Sequence, residues 1–328
     1  MPSQLAQKAW SIARALSQPS SIAIIRYRLL ACRRRPQQRA YDQLHSFDGS
    51  RDPEPILKEL PLEPTDSQAI SKIIFQTWKS RVTVPAQYRY WRSTFLKYNP
   101  EFQFVLWDDD DNRNFIADQF SWFLPTYDSF PAPIFRADAV RPFFLFRYGG
   151  VYVDMDTECL QPLSSMPTSG DVVLGQMGPK LEAVNAIPNA IMASKPFQLF
   201  WLLVIALMIE KAESAEVEAL RKVGPEPVTG PVVLHEAFDL YRSESERSIR
   251  ARAQPVIAKL PEHLSARLQV GRIELLGPDE WYPIDWTNPI HQRLLRRFLL
   301  KHKTVLGPAD TRLLFPKSTL VTYWAHSW

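Results

Sequence analysis

Residues 147–156 read Arg147-Tyr148-Gly149-Gly150-Val151-Tyr152-Val153-Asp154-Met155-Asp156, and the architecture follows from how this stretch divides. The two adjacent glycines come from a chain with only 11. They permit a tight reversal, with positive φ available, out of a preceding helix. Val151–Val153 then reads as a short buried strand ending at Asp154. Asp154 and Asp156 are two positions apart, so at a strand end they project to the same side. Two carboxylates on one side suit a hard divalent cation that keeps positions open for phosphate oxygens. The same triplet also arises as ordinary turn residues.

Upstream, residues 134–148 read as the helix that stops at the glycine pair. Asp138 and Arg141 lie three apart and share a face of it. Pro142 has no N–H, so the Asp138 carbonyl loses its helical partner and a kink is expected there. Spacing alone leaves two readings of the Asp138/Arg141 pair open, a site device or an intrahelical ion pair.

Further out, Lys72–Trp78 (KIIFQTW) and Phe102–Trp107 (FQFVLW) are β-branched and aromatic runs that read as strands. Asp108-Asp109-Asp110-Asp111 follows the second run and precedes a helical pattern to Phe120; it offers two further D-x-D triplets, ranked below the reading of these acids as helix N-terminal residues. Val172–Leu174, Ala190–Met192, Ile273–Leu276 and Leu320–Trp324 are further strands. Pro196–Lys211 and Pro231–Tyr241 read as helices, the latter with Pro at its first turn. Strands alternating with helices imply an α/β fold with ligand at strand C-termini.

Composition removes several classes. A hydrophobic content of 45% and a charged content of 23% exclude global disorder. Two cysteines, Cys32 and Cys159, exclude a disulfide scaffold and a cysteine-built zinc site. Neither the dinucleotide nor the P-loop glycine spacing is present. His235-Glu236 opens like a zincin motif, but Asp239 stands where the second His is needed. Leu199 to Ile209 is the longest apolar run; it is too short to span a bilayer and reads as a core helix.

The net charge of +4 is a sum of unlike parts. Residues 1–41 hold eight basic side chains and no acidic one, which leaves 31 basic against 35 acidic in the rest. An acidic body argues against nucleic acid as a partner. Residues 1–47 read as a basic amphipathic arm, with Leu5, Ala9, Ile12 and Leu16 at helical spacing. An anionic membrane surface, a transit peptide and a flexible arm are three readings of it. Residues 48–69, polar and dotted with proline, read as a linker, and the periodic, aromatic-rich body at 70–328 as one domain.

The motifs KIIFQTW at 72–78, ADAVR at 137–141, RYGGVYVDMD at 147–156, TGP at 229–231 and the terminal HSW at 326–328 occur in this order. Together they resemble the glycosyltransferase family with a DXD-containing sugar-binding region. That family includes initiating α-1,6-mannosyltransferases and inositol phosphoceramide mannosyltransferases, and its core is similar to that of clostridial glucosylating toxins. Phe75 and Thr322 stand where the family commonly has His.

The resemblance implies a GT-A (Rossmann-like) α/β fold with a mixed sheet, a nucleotide-sugar donor, Mn²⁺ or another divalent cation, and retention of anomeric configuration. Position by position, it implies that Trp78 stacks on the donor base and that Asp138 and Arg141 hold the donor sugar. Tyr152 and Asp154 contact ribose and sugar, and Asp154 also lies near the metal. Asp156 is the direct metal ligand, Ser327 completes the metal shell, and Trp328 donates to phosphate. The function expected is transfer of a hexose, with mannose from GDP-mannose favoured over a UDP-sugar, to a glycolipid or glycan at Golgi or other secretory-pathway membranes.

Two rival readings stay open on the sequence. Val151–Thr157 also looks like the opening motif of haloacid-dehalogenase-type phosphatases, with Asp154 as nucleophile. Its downstream partner motif is missing, because Gly175 stands where Asp is needed. The third reading is a non-catalytic nucleotide-sugar-binding module.

Overall fold

The structure is a computed structural model that describes residues 69–165, 169–214, 216–296, 306 and 308–325. The basic arm, the linker up to residue 68, and His326, Ser327 and Trp328 lie outside the described residues.

Strand β1 (Ile73–Thr77) sits inside the sheet and pairs in parallel with β2 (Gln103–Trp107) and β3 (Gly150–Val153). Beyond β3 the direction changes. β3 pairs antiparallel with β6 (Ile191–Ser194), β6 antiparallel with β5 (Val172–Gly175), and β5 parallel with β7 (Ile273–Leu276). The strand order is β2-β1-β3-β6-β5-β7. A second, two-stranded antiparallel sheet joins β4 (Thr157–Cys159) to β8 (Leu320–Thr322). The α/β architecture is the one expected from the strand and helix pattern, and the mixed sheet is the one the resemblance implies.

Side chains alternate across β1. Ile73 and Phe75 enter one hydrophobic layer, and Ile74 enters the other. The first layer is covered by α2 (Asp109–Gln119), α3 (Pro133–Tyr148), α4 (Leu199–Glu213), α5 (Pro231–Ser243) and α6 (Glu246–Ile257). The second is closed by α1 (Ala86–Tyr98) together with β4 and β8. Every residue from Leu199 to Ile205 is buried. That is the pattern of a helix wrapped by protein on all sides, and it accounts for the apolar run. Among the described residues no helix is long and apolar enough to cross a membrane.

Element limits moved where the backbone found better partners. The helix expected from Pro196 begins at Leu199, because Phe197 has φ 60° and sends its N–H to the Phe146 carbonyl at 2.7 Å. The strand expected over 320–324 ends at Thr322, and Trp324 turns the chain with φ 53°. Strand β4 and helices α1 and α6 were not foreseen.

The glycine pair does what its position demands. Gly149 and Gly150 have φ of 66° and 87°, and a Cβ on Gly150 would lie 2.6 Å from the Ile73 carbonyl oxygen. The reversal from α3 into β3 therefore needs both the backbone freedom and the missing side chain. Gly150→Ala is expected to lose about 1–3 kcal/mol from the backbone conformation alone, read as a lower urea midpoint; an unchanged midpoint would contradict this account.

Candidate active site

Parallel β1, β2 and β3 end at the same edge of the sheet, so Trp78, Asp109 and Asp154 emerge side by side. A cleft of about 410 Å³ opens there. Thr77, Trp78, Lys79 and Tyr88 line it together with Asp109, Asp154, Met155 and Asp156, and Ala132–Ile134 and Ala137 at the start of α3 close it. The Trp78 and Tyr88 rings pack with centroids 4.8 Å apart.

Beneath the cleft lies one buried cation. The Arg141 guanidinium pairs with Asp138 at 2.8 Å and Asp154 at 3.1 Å through the same nitrogen. It also donates to the Asn189 carbonyl at 2.9 Å and the Ala137 carbonyl at 3.2 Å, and lies over the Tyr152 ring at 4.6 Å. The spacing question is thereby answered: the Asp138/Arg141 pair is intrahelical and also reaches across to the end of β3. Tyr152 donates its hydroxyl to Asp154 at 2.8 Å and lies 3.3 Å from the Thr77 hydroxyl.

Burial shifts the charges. It pushes Asp138 up to about 7 against the pull of Arg141. Asp154 is raised by burial as well, with Arg141 and Tyr152 opposing. Burial would lower Arg141, but Asp138 and Asp154 outweigh it, so the guanidinium stays charged. Asp156 is pushed up to about 7 by burial and by its neighbour Asp154.

Asp156 is held on one side only. Its Oδ2 accepts the Ala325 N–H at 2.6 Å, and its backbone carbonyl accepts the Tyr323 N–H at 3.0 Å. Among the described residues its Oδ1 is buried without a hydrogen-bond partner. A buried, unpaired carboxylate oxygen beside a second carboxylate fits a divalent cation, which would satisfy it and draw its proton affinity down. Among the described residues no group of three or more His, Cys, Asp and Glu side chains is arranged as a metal site. Asp154 and Asp156 would therefore share the ion with phosphate oxygens or with residues outside the described set.

The expected residues thus separate into two tiers. Trp78, Asp154 and Asp156 line the cleft, while Asp138, Arg141 and Tyr152 lie under it. Ser327 and Trp328 lie outside the described residues. The TGP motif packs onto the network, since a Cβ on Gly230 would lie 3.2 Å from Asp138 Oδ2. The acidic run divides as well. Asp108 and Asp111 form a capping box and both pair with Arg81, at 3.3 and 3.2 Å. Asp110 is exposed, and Asp109 faces the cleft. The helix N-terminal reading holds for all four, with Asp108 at the N-cap and Asp109, Asp110 and Asp111 in the first turn. Asp109 was missed, although its place just past the second parallel strand was a signal.

Glu158 was missed too. It is buried and accepts the Tyr323 hydroxyl at 2.5 Å, which ties β4 to the chain following β8. No spacing in the sequence marks that pair, which are 165 positions apart.

Part of the chain is similar to known proteins. Residues 85–173 match the family model described as "Glycosyltransferase sugar-binding region containing DXD motif". That segment contains Asp109, Asp138, Arg141, Asp154 and Asp156. Inositol phosphoceramide mannosyltransferase 2 of Schizosaccharomyces pombe is 34% identical over 170 residues, covering 52% of this chain and 47% of that protein. Mannosyl phosphorylinositol ceramide synthase CSH1 of Saccharomyces cerevisiae is 32% identical over 178 residues, covering 53% and 44%. The initiation-specific α-1,6-mannosyltransferase of the same yeast is 34% identical over 113 residues, covering 32% and 24%. The matches thus span about half or less of these relatives' own lengths. A solved structure titled PaToxG glycosyltransferase aligns with a TM-score of 0.40 at 14% identity, over 87% of this chain and 98% of that one.

Two outcomes check this geometry. Arg141→Met leaves two buried carboxylates without their cation and is expected to lose about 3–5 kcal/mol at pH 8. The loss should shrink toward pH 5 as the acids take up protons, measured by urea denaturation at both values. Burial pushes Glu158 from its ordinary 4.5 up to about 8, with the Tyr323 hydrogen bond opposing. A carboxyl raised in this way adds stability that is fully present below its unfolded value and is lost as pH rises toward its folded value. The wild-type chain should therefore lose more stability than Glu158→Gln between pH 5 and pH 8; equal slopes would contradict the shift.

Proposed function

We propose that the chain is a metal-assisted, retaining hexosyltransferase that moves mannose from a nucleoside-diphosphate donor to a hydroxyl of an inositol-bearing sphingolipid. The names of the relatives support the sugar and the lipid class. The observation that carries the chemistry is the buried Asp156 Oδ1, without a hydrogen-bond partner among the described residues, next to Asp154 in the lining of a cleft underlaid by a locked cation.

Each residue has a part in this reading. Trp78 and Tyr88 offer an aromatic wall for the donor base. Asp154 is held by Arg141 and Tyr152, so its position does not depend on the substrate. Asp138 and Arg141 set the floor on which the donor sugar rests. A divalent cation on Asp154 and Asp156 would neutralise charge on the departing diphosphate. Attack on the same face of the sugar, with the leaving diphosphate oxygen taking the acceptor's proton, is a retaining route that requires no enzyme nucleophile. Ser327 and Trp328 would close over the diphosphate, and the basic arm at 1–47 would hold the domain at an anionic, Golgi-type membrane surface.

The phosphatase reading is not favoured. It needs Asp154 as a free nucleophile, and Asp154 Oδ1 is engaged by both Arg141 and Tyr152. A binding module without catalysis is not favoured either, since both carboxylates face the cleft and the relatives are transferases.

The test is hydrolysis of GDP-mannose, with water as acceptor. EDTA, or Asp156→Ala, is expected to reduce the rate at least about a hundredfold, comparable to the removal of a main electrostatic stabiliser of the leaving group. Full activity in either case would overturn the metal role.

A further inference from the structure

Sheet topology decides which loops surround the cleft. Strands β1, β3, β5 and β7 run in the same sense, so their C-terminal ends share the edge on which the cleft opens. Residues 79–85 leave that edge from β1 to α1, and residues 176–190 leave it from β5 to β6. Residues 216–230 belong to it as well. They lead into α5, and the last of them, Gly230, packs against Asp138. Each of the three segments exposes valine: Val82 in the first, Val184 in the second, Val217 and Val223 in the third. Val82, in the turn after β1, is 92% exposed.

Among the described residues six large apolar side chains are exposed, and these are four of them. The other two sit toward the opposite edge. Val270 precedes the start of β7, and Leu313 adjoins Arg312, which reaches the Tyr98 hydroxyl at the far end of α1. Single exposed valines are ordinary on a protein surface. Their gathering along the one edge that carries the cleft is what calls for a partner. Charge does not define that partner. Lys79, Arg81, Lys180, Arg221 and Lys222 flank the valines. Glu182, Glu216 and Glu218 share those segments, and Arg81 is taken up by Asp108 and Asp111. The edge is therefore close to neutral, unlike the arm at 1–47.

We propose that this edge rests on the bilayer that holds the acceptor, with Val82, Val184, Val217 and Val223 sunk among the lipid headgroups. The inference rests on the lipid-acceptor reading given above. A lipid headgroup can enter the cleft only while its acyl chains stay in the bilayer, so the cleft edge must come within the headgroup layer. Side chains that project from that edge then enter the layer first. Valine suits shallow insertion, because it is apolar, short and stiff at χ1 and loses little freedom on being buried. The flanking lysines can lay their stems along the apolar boundary and keep their heads among the phosphates. The contact made here is apolar, and so differs from the electrostatic hold of the basic arm.

The experiment measures partition of the full chain onto phosphatidylcholine vesicles by sedimentation, in about 0.5 M salt, where exposed charges are screened. A chain carrying Val82→Glu, Val184→Glu and Val223→Glu together is expected to partition at least about tenfold more weakly than the wild type, since one buried valine is already worth that much. Val82→Trp should partition more strongly, and Leu313→Glu, on the opposite edge, like the wild type. Thermal melting confirms that each variant is folded. With inositol phosphoceramide in the vesicles, mannose transfer from GDP-mannose should fall in the triple variant along with partition. Its hydrolysis of GDP-mannose in solution should stay within about twofold of wild type, as for substitutions on an exposed surface. Equal partition of the wild type and the triple variant, or an equal loss in Leu313→Glu, overturns the membrane-facing edge whatever the activity. Loss of transfer with partition unchanged overturns it too. Weakened partition of the triple variant, in a protein whose wild type transfers no mannose, leaves the edge standing and sinks the transferase reading instead.

Discussion

An arginine removed from water keeps its charge, so the structure must bring it counter-charges and acceptors from every side. Arg141 meets that constraint with Asp138 from its own helix, Asp154 from the end of β3, two backbone carbonyls and the Tyr152 ring. Helix α3, strand β3 and the segment before β6 are thereby fixed against one another at one point. The same interactions hold Asp154 in place before any ligand arrives. Preorganisation of this kind lets a site stabilise developing charge without rearranging at the moment of reaction.

The second carboxylate is fixed by a different part of the chain. Asp156 lies between β3 and β4, and β4 exists only because β8 returns from near the C-terminus to pair with it. The backbone of Tyr323 and Ala325 then clasps Asp156 from one side, while Glu158 and Tyr323 lock the two segments together. The aromatic stack of Trp91 on Tyr323, with centroids 4.7 Å apart, ties this clasp to α1. Among the described residues the other oxygen is left without a hydrogen-bond partner. A small displacement of the chain after β8 would move the proposed metal ligand.

Much of this was legible in the linear pattern. The strands β1, β2, β3, β5 and β7 show as apolar β-branched runs, and a helix that ends at Gly149-Gly150 can reverse in only a few ways. What local pattern missed had a common cause. Strand β4 is three residues long and polar in type, and it is a strand through its partner alone. Helix α1 carries scattered aromatics whose burial depends on β4 and β8. Asp109 could be told from its three acidic neighbours only once the helix orientation had sorted them between cap, solvent and cleft.

The sequence by itself determined the alternation of strand and helix and the glycine reversal, because these depend on neighbours within a few residues. It also carried the ordered motifs by which the chain resembles a glycosyltransferase family. Only the tertiary structure decided that Arg141 bridges Asp138 and Asp154, that Asp156 accepts the Ala325 N–H, and that Glu158 meets Tyr323. Those outcomes depend on contacts between residues far apart in sequence, and no local rule of spacing or propensity encodes which distant group will share a buried charge.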